Sequence, residues 1–248
     1  MKTIDLNADL GEGYDDAAVM PHISSANIAC GFHAGGAATM RRTVALCFAD
    51  GVAIGAHPSL RDPQNFGRRE MELAPDEVYA QTLYQIGALA AVARAAGTKL
   101  HHVKPHGALY NMAARDRALA DAIARAVRDF DPSLILVGLA GSASIDAART
   151  IGLRVAREAF CDRRYRVDGS LTPRSQANAV IENIDDVVAQ AVSIATRNEA
   201  IADDGSRVRI EADTLCVHGD RGNAGECARR LREALEYQEL RVSAPEWC

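Results

Sequence analysis

Lysine is nearly missing from this 248-residue chain. Lys2, Lys99 and Lys104 are the only ones, and arginine carries almost all of the positive charge. The net charge of −5 argues against a general nucleic-acid surface. Six cysteines are present, but none stands in a Cys-x-x-Cys pair. With no export signal ahead of the acidic residues Asp5 and Asp9, they read as reduced, mostly buried thiols of a cytoplasmic protein. No apolar run approaches the ~20 residues that cross a bilayer. No Gly-x-x-x-x-Gly-Lys-Ser/Thr phosphate loop occurs, and Gly11-Glu12-Gly13 lacks the rest of a dinucleotide fingerprint. No Gly-x-Ser-x-Gly nucleophile elbow is found either. Repeats, low-complexity tracts and domain-splitting linkers are also missing.

What remains is the pattern of a soluble globule, 48% hydrophobic and 25% charged, of a length that fits one large α/β domain. Short apolar runs at 3–9, 26–30, 52–56, 100–104, 134–138, 153–157 and 214–217 read as strands. Alanine-rich stretches with i, i+3, i+4 apolar spacing read as helices over 37–49, 76–96, 116–130, 142–150, 185–202 and 224–237. Asp76 and Ser142 stand where N-caps belong. Strands alternating with helices of this length make parallel βαβ units. About seven of them predict an α/β fold, a parallel (β/α) barrel that is closed or nearly so, with an open doubly wound sheet as the alternative. Residues 1–238 form a single barrel-like catalytic domain in this reading, and 239–248 a frayed tail. Residues 203–211 add a small hairpin strand. The long loops 58–75 and 159–181 leave strand C-termini and read as lids or binding segments.

In a parallel α/β fold every strand C-terminus opens on one face, so polar residues at those ends meet. Histidines stand there at His33, His57, His106 and His218, and carboxylates at the end of the first strand. The two-residue period of a strand puts Asp5, Asn7 and Asp9 on one side and Ile4, Leu6, Ala8 and Leu10 on the other. It likewise aligns His102, Lys104 and His106, with Pro105 and Gly107 turning the chain so that His106 is expected exposed at the rim. Asp9, Lys104 and His106 are candidate catalytic groups. Glu12 is either a further acid/base group or a turn cap. Asp9, His57 and His106 suit a divalent metal, and without one the same groups suit general acid–base chemistry. Asn7, Asn27, His33, His218 and Asp220 complete the polar ends as candidate substrate contacts. Arg68 and Arg164, in the long loops, are read either as carboxylate clamps, as a docking edge, or as plain surface charge.

The motifs are recognisable as a set. They are Asp5-Leu6-Asn7-Ala8-Asp9-Leu10-Gly11-Glu12, Ser25-Ala26-Asn27-Ile28-Ala29-Cys30-Gly31-Phe32-His33-Ala34-Gly35, Ile54-Gly55-Ala56-His57-Pro58-Ser59, Phe66-Gly67-Arg68-Arg69, His102-Val103-Lys104-Pro105-His106-Gly107-Ala108-Leu109-Tyr110-Asn111, Glu158-Ala159-Phe160-Cys161-Asp162-Arg163-Arg164-Tyr165 and Val217-His218-Gly219-Asp220. In this order the chain resembles the LamB/YcsF family, from Asp5 to about Asp220. The resemblance implies a barrel-like fold of the glycoside hydrolase/deacetylase superfamily. It implies the role of the A subunit of 5-oxoprolinase: ATP-dependent opening of 5-oxoproline to glutamate, with ATP and Mg, together with subunits B and C. Deacetylase relatives hold a divalent ion with one Asp and two His, which matches Asp9, His57 and His106. The chain departs from the family pattern at Ala8, where Cys is usual, at Gly36, where Asp follows His-Ala-Gly, and at Arg221-Gly222, where Thr-Pro follows His-Gly-Asp.

The chemistry implied starts from an unstrained five-membered lactam, which resists hydrolysis. Phosphorylation of the amide oxygen would activate it, Asp9 or His106 would deprotonate water, and Lys104 would stabilise the developing charge. Arg164 or Arg68 would hold the substrate carboxylate. The missing phosphate loop places ATP on a partner subunit or in a non-standard site. Two other classes remain open on sequence alone: an ATP-independent, metal-dependent amidase or deacetylase, and a non-catalytic subunit that carries a lactam or sugar. A homo-oligomer is compatible with all three.

Overall fold

The computed structural model describes residues 1–218 and 223–245. In chain order the elements are β1 (Thr3–Leu10), α1 (Asp16–Val19), β2 (Ser25–Ala29), α2 (Ala37–Asp50), β3 (Ala53–His57), α3 (Pro75–Ala95), β4 (His102–Val103), α4 (Gly107–Arg115), α5 (Arg117–Phe130), β5 (Ile135–Leu139), α6 (Ala143–Thr150), β6 (Arg154–Phe160), α7 (Ile184–Arg197), β7 (Glu199–Ile201), β8 (Arg207–Arg209), β9 (Thr214–His218), α8 (Ala224–Tyr237) and β10 (Arg241–Val242). Strands β1 to β6 and then β9 pair in parallel, and β9 closes on β1. The architecture is therefore a closed parallel barrel of seven strands, and the open-sheet alternative falls away.

The barrel wall follows the alternation of its strands. Ile4, Leu6, Ala8 and Leu10 are buried in the apolar layer that packs against the helices. Their neighbours Asp5, Asn7 and Asp9 point inward and are also buried. Burying such groups is costly unless each finds a partner. At the N-terminal end, Asp5 accepts from Ser24 Oγ at 2.6 Å, Ser25 Oγ at 2.8 Å and Thr214 Oγ1 at 2.5 Å. Burial still outweighs these bonds and lifts its pKa to about 6. On β5 and β6, Ile135, Val137 and Ala156 form a small apolar cluster of their own, apart from the main core. The interior is thus half apolar plug and half hydrogen-bonded network. Gly55 on β3 makes room for that network, because a Cβ there would overlap the imidazole of His102.

Several local expectations need correction. The segment from residue 239 does not simply fray: Arg241–Val242 pairs in parallel with Thr3–Ile4, while 246–248 lie outside the described residues. The helix expected to 202 stops at Arg197, because Asn198 turns left-handed and its backbone N–H bonds Ile194. The chain then forms the antiparallel hairpin of β7 and β8. Asp76 is not an N-cap; Ala74 is, and Pro75 takes the first helical position, where its missing N–H costs nothing. Ser142 is the N-cap of α6, although its side chain makes no capping bond. Helix α4 was not expected and starts directly after Pro105-His106.

Candidate active site

The site stands on the C-terminal ends of the strands, and Lys104 is its centre. The Lys104 Nζ lies 2.8 Å from Asp9 Oδ1 and 2.8 Å from Glu158 Oε1. It also reaches Asn7 Oδ1 at 3.2 Å and Cys216 Sγ at 3.2 Å. Burial works against the ammonium, but Asp9 and Glu158 overcome it and hold Lys104 well above the ordinary lysine range. Lys104 is thus a fixed counter-charge between two carboxylates. Asn27 ties the layer together, donating to Asn7 Oδ1 at 2.8 Å and Asp9 Oδ1 at 2.9 Å and accepting from His102 Nε2 at 2.8 Å. Asn7 and Asn27 are accordingly scaffolding for the ion pairs.

Above this layer Glu12 gathers three histidines. Its Oε1 lies 2.9 Å from His33 Nε2, 3.4 Å from His106 Nδ1 and 3.8 Å from His57 Nε2. His33 comes from the loop after β2 and stacks flat on His106 at 3.8 Å between ring centres. The loop after β3 covers the group. Gly67, at φ +65, packs where a Cβ would strike Ser59, His33 and His106. His106 is 5% exposed, so the expectation of an exposed rim histidine is wrong. Its backbone N–H and ring are tied down to Pro58 and Phe66 carbonyls.

Hydrogen bonding assigns the tautomers. His57 Nδ1 lies 2.7 Å from the Lys104 carbonyl, which only accepts, so that nitrogen carries a proton. His106 Nε2 donates to the Phe66 carbonyl at 2.9 Å, so its Nδ1 is bare by the same logic. His57 Nε2 and the bare Nδ1 of His106 face each other at 2.9 Å. Burial, reinforced by the neighbouring His57, holds His106 well below the usual imidazole range and His33 down to about 3. Two lone pairs at this distance repel unless a proton or a cation lies with them. Glu12, His33, His57 and His106 each direct one ligand atom inward, all within 4.8 Å of one another. The four fit a divalent cation, and for His57 and His106 the opposite nitrogen is held by a backbone carbonyl, as in metal centres generally. Of Asp9, expected among the ligands, Oδ1 is taken by Lys104 and Asn27, while Oδ2 stays 3.4 Å from His57 Nε2.

A cavity of about 700 Å³ opens over this floor and is walled by the turn at Leu139–Ser142 and the loop after β6. Arg68 lines it, as expected, with its guanidinium 4.9 Å above the Phe66 ring. Arg164 does not; its neighbour Arg163 does, with Arg166 and Arg174. The antiparallel bridge of Arg163 with Val180 sets which of the two adjacent side chains turns inward. The backbone of His218 pairs beside Asp9. The side chain of His218, together with Asp220 and Arg221-Gly222, lies outside the described residues. Cys30, Cys47, Cys161, Cys216 and Cys227 are all buried.

Several site residues escaped the sequence reading. Glu158 is fully buried and Tyr110 nearly so, and the Tyr110 hydroxyl faces the Glu158 carboxylate. Burial and the Glu158 charge push the Tyr110 hydroxyl well above its usual range. The signal for Glu158 was available: extending the run at 153–157 by three residues puts Ala156, Glu158 and Phe160 on one face.

A family model described as LamB/YcsF matches residues 4–247. The A subunit of 5-oxoprolinase from Bordetella pertussis is 55% identical over 247 residues, covering 97% of this chain and 98% of that protein. Its counterpart of the same name from Geobacillus kaustophilus is 52% identical over 250 residues, covering 99% and 98%. The crystal structure of a lactam utilization protein from Thermus thermophilus superimposes with a TM-score of 0.92 at 49% identity, over 99% of this chain and 100% of that one. A family 4 carbohydrate esterase from Streptomyces lividans shares the fold, with a TM-score of 0.50 at 11% identity over 99% and 93% of the two chains. Among the described residues no helix is long and apolar enough to cross a membrane. The chain belongs to the LamB/YcsF family.

Proposed function

We propose that this chain is the lactam-binding subunit of an ATP-dependent 5-oxoprolinase, opening 5-oxo-L-proline to L-glutamate together with subunits B and C. The observation that carries the reading is the buried cluster of Glu12, His33, His57 and His106 at the floor of a cavity sized for a small ligand. The names of the 5-oxoprolinase and lactam-utilization relatives support the choice of substrate.

The geometry divides the labour differently from the sequence expectation. Lys104 and Asp9 neutralise each other, so Asp9 is a weak candidate for the base and Lys104 for a mobile charge. Glu12 and the bare Nδ1 of His106 are better placed to take a proton from a water on the cavity floor, being acceptors within reach of one another. The closed loop at Phe66-Gly67 and the buried rings keep bulk water from the reacting carbonyl. ATP, with Mg, would phosphorylate the lactam oxygen; water then adds to that carbon, the ring C–N bond breaks as the nitrogen takes a proton, and a second water releases phosphate from the acyl phosphate to leave glutamate; the nucleotide binds a partner subunit or spans the interface with one.

A divalent cation held by Glu12, His33, His57 and His106 would supply a Lewis acid at the same floor. The converging ligand atoms favour this, and with it a second reading, an ATP-independent metal-dependent amidase. The test is glutamate release from 5-oxoproline by the chain alone and with subunits B and C, with and without ATP, and after chelation. Release that needs both partners and ATP is the expected result. Release by the chain alone, lost on chelation, would establish the amidase instead.

A further inference from the structure

We infer that Arg163 and Ser142 form an oxyanion-binding subsite in the cavity wall, and that its occupant is the carboxylate of the small-molecule substrate. This rests on the lactam-opening function proposed above. Three observations carry it. Arg163 is 5% exposed, and among the described residues its guanidinium bonds only to backbone carbonyls, Ala179 at 3.2 Å and Thr172 at 2.6 Å. Among the described residues it forms no ion pair. A buried cation without a carboxylate is costly, and burial draws Arg163 down to about 10. Both features fit a position whose counter-charge arrives with a ligand.

Ser142 is 6% exposed, and its Oγ is buried without a hydrogen-bond partner among the described residues. It is the N-cap of the eight-residue helix α6, yet its hydroxyl caps nothing. A serine at this position ordinarily bonds the N–H two or three residues on. Ile145 and Asp146 donate to the Ser142 carbonyl, which leaves the hydroxyl and the N–H groups of Ala143 and Ser144 for another partner.

Arg163 and Ser142 line the same cavity as Glu12 and His106. One full positive charge, one hydroxyl and a helix N-terminus match the two oxygens of one carboxylate. A carboxylate gripped at the wall would hold the ring of a lactam acid against the acid–histidine floor. Arg163, and neither Arg164 nor Arg68 alone, then selects acids over neutral lactams.

The test is calorimetric titration of the full chain with three probes: 5-oxoproline, its neutral carboxamide, and inorganic phosphate. The variants are Ser142→Ala and Arg163→Lys. The expected result is that 5-oxoproline binds at least about tenfold more tightly than the carboxamide, the scale of one charge-assisted hydrogen bond. Ser142→Ala should remove about that factor for 5-oxoproline, leave the carboxamide unchanged and not lower Tm, since its hydroxyl has no partner to lose. Arg163→Lys should weaken 5-oxoproline as well. Equal binding of acid and amide, binding of neither by the unmodified chain, unchanged affinity in both variants, or Ser142-dependent binding of phosphate in place of 5-oxoproline would each overturn the subsite. Ser142-dependent binding in a chain that releases no glutamate with its partners would instead overturn the function and leave the subsite standing.

Discussion

Lys104 and Asp9 form an ion pair 2.8 Å long in the interior of the barrel, the lysine 2% exposed, with Glu158 at 2.8 Å on its other side. The pairing decides what each residue is available to do. It also makes the site part of the folding core, since the charges are stable only together.

Removing the lysine should therefore cost stability before it costs chemistry. Lys104→Met leaves Asp9 and Glu158 buried without a counter-charge, and a loss of about 3–5 kcal/mol is expected in urea unfolding. Adding Glu158→Gln to that variant should recover part of the loss. Strictly additive losses would show that the three groups are not coupled.

Asp5 sets a pH dependence of its own. Its folded pKa of about 6 lies above the ordinary aspartate value of 3.8. The folded state therefore holds the proton more tightly than the unfolded chain. Its contribution is fully present below pH 4 and is lost as pH rises through 6. Two units at ~1.4 kcal/mol each make this on the order of 3 kcal/mol. Asp5→Asn should gain on the wild type between pH 4 and 6 and hold that advantage above it. A stability difference that stays flat from pH 4 to 7 would show that the Ser24, Ser25 and Thr214 hydroxyls compensate burial fully.

Gly55 leaves the space that His102 fills. Gly55→Ala would drive a methyl group into a ring that is anchored to Asn27. The expected loss is at least about 3 kcal/mol, at the upper end for overpacked cores. The measurement is thermal unfolding. A variant melting within a degree or two of the wild type would mean that His102 can leave its place without consequence.

Much of the fold was legible because two-residue and helical periodicities survive in short runs. All seven barrel strands overlap their expected segments, and the inward set Asp5, Asn7, Asp9 follows from alternation alone. Side-chain partnership was not legible. The spacing of Asp9, His57 and His106 suits a metal, but only the folded barrel brings Lys104 against Asp9 and sets Glu12 and His33 beside the two histidines. The choice of Arg163 over Arg164 turns on the bridge to Val180, a contact between residues 17 positions apart. The pairing of Arg241–Val242 with β1 spans nearly the whole chain, and two residues carry too little pattern to announce it.

The departure at Gly36 has a structural answer. The loop carrying His33 does not depend on an acid at that position, because the carboxylate that engages the ring is Glu12, 2.9 Å away. Gly36 serves instead as the N-cap of α2, in an extended conformation and without a capping side chain.

The most direct measurement is glutamate formation from 5-oxoproline by the chain reconstituted with subunits B and C and ATP, comparing wild type with Glu12→Gln. The substitution keeps the shape of the side chain and removes the charge that gathers the three histidines. A fall of at least about 100-fold, the lower range for a lost acid–base group, is expected in a complex that still assembles. Activity within about twofold of the wild type, against that expected range, would contradict the assignment of the Glu12 cluster as the place where the lactam opens.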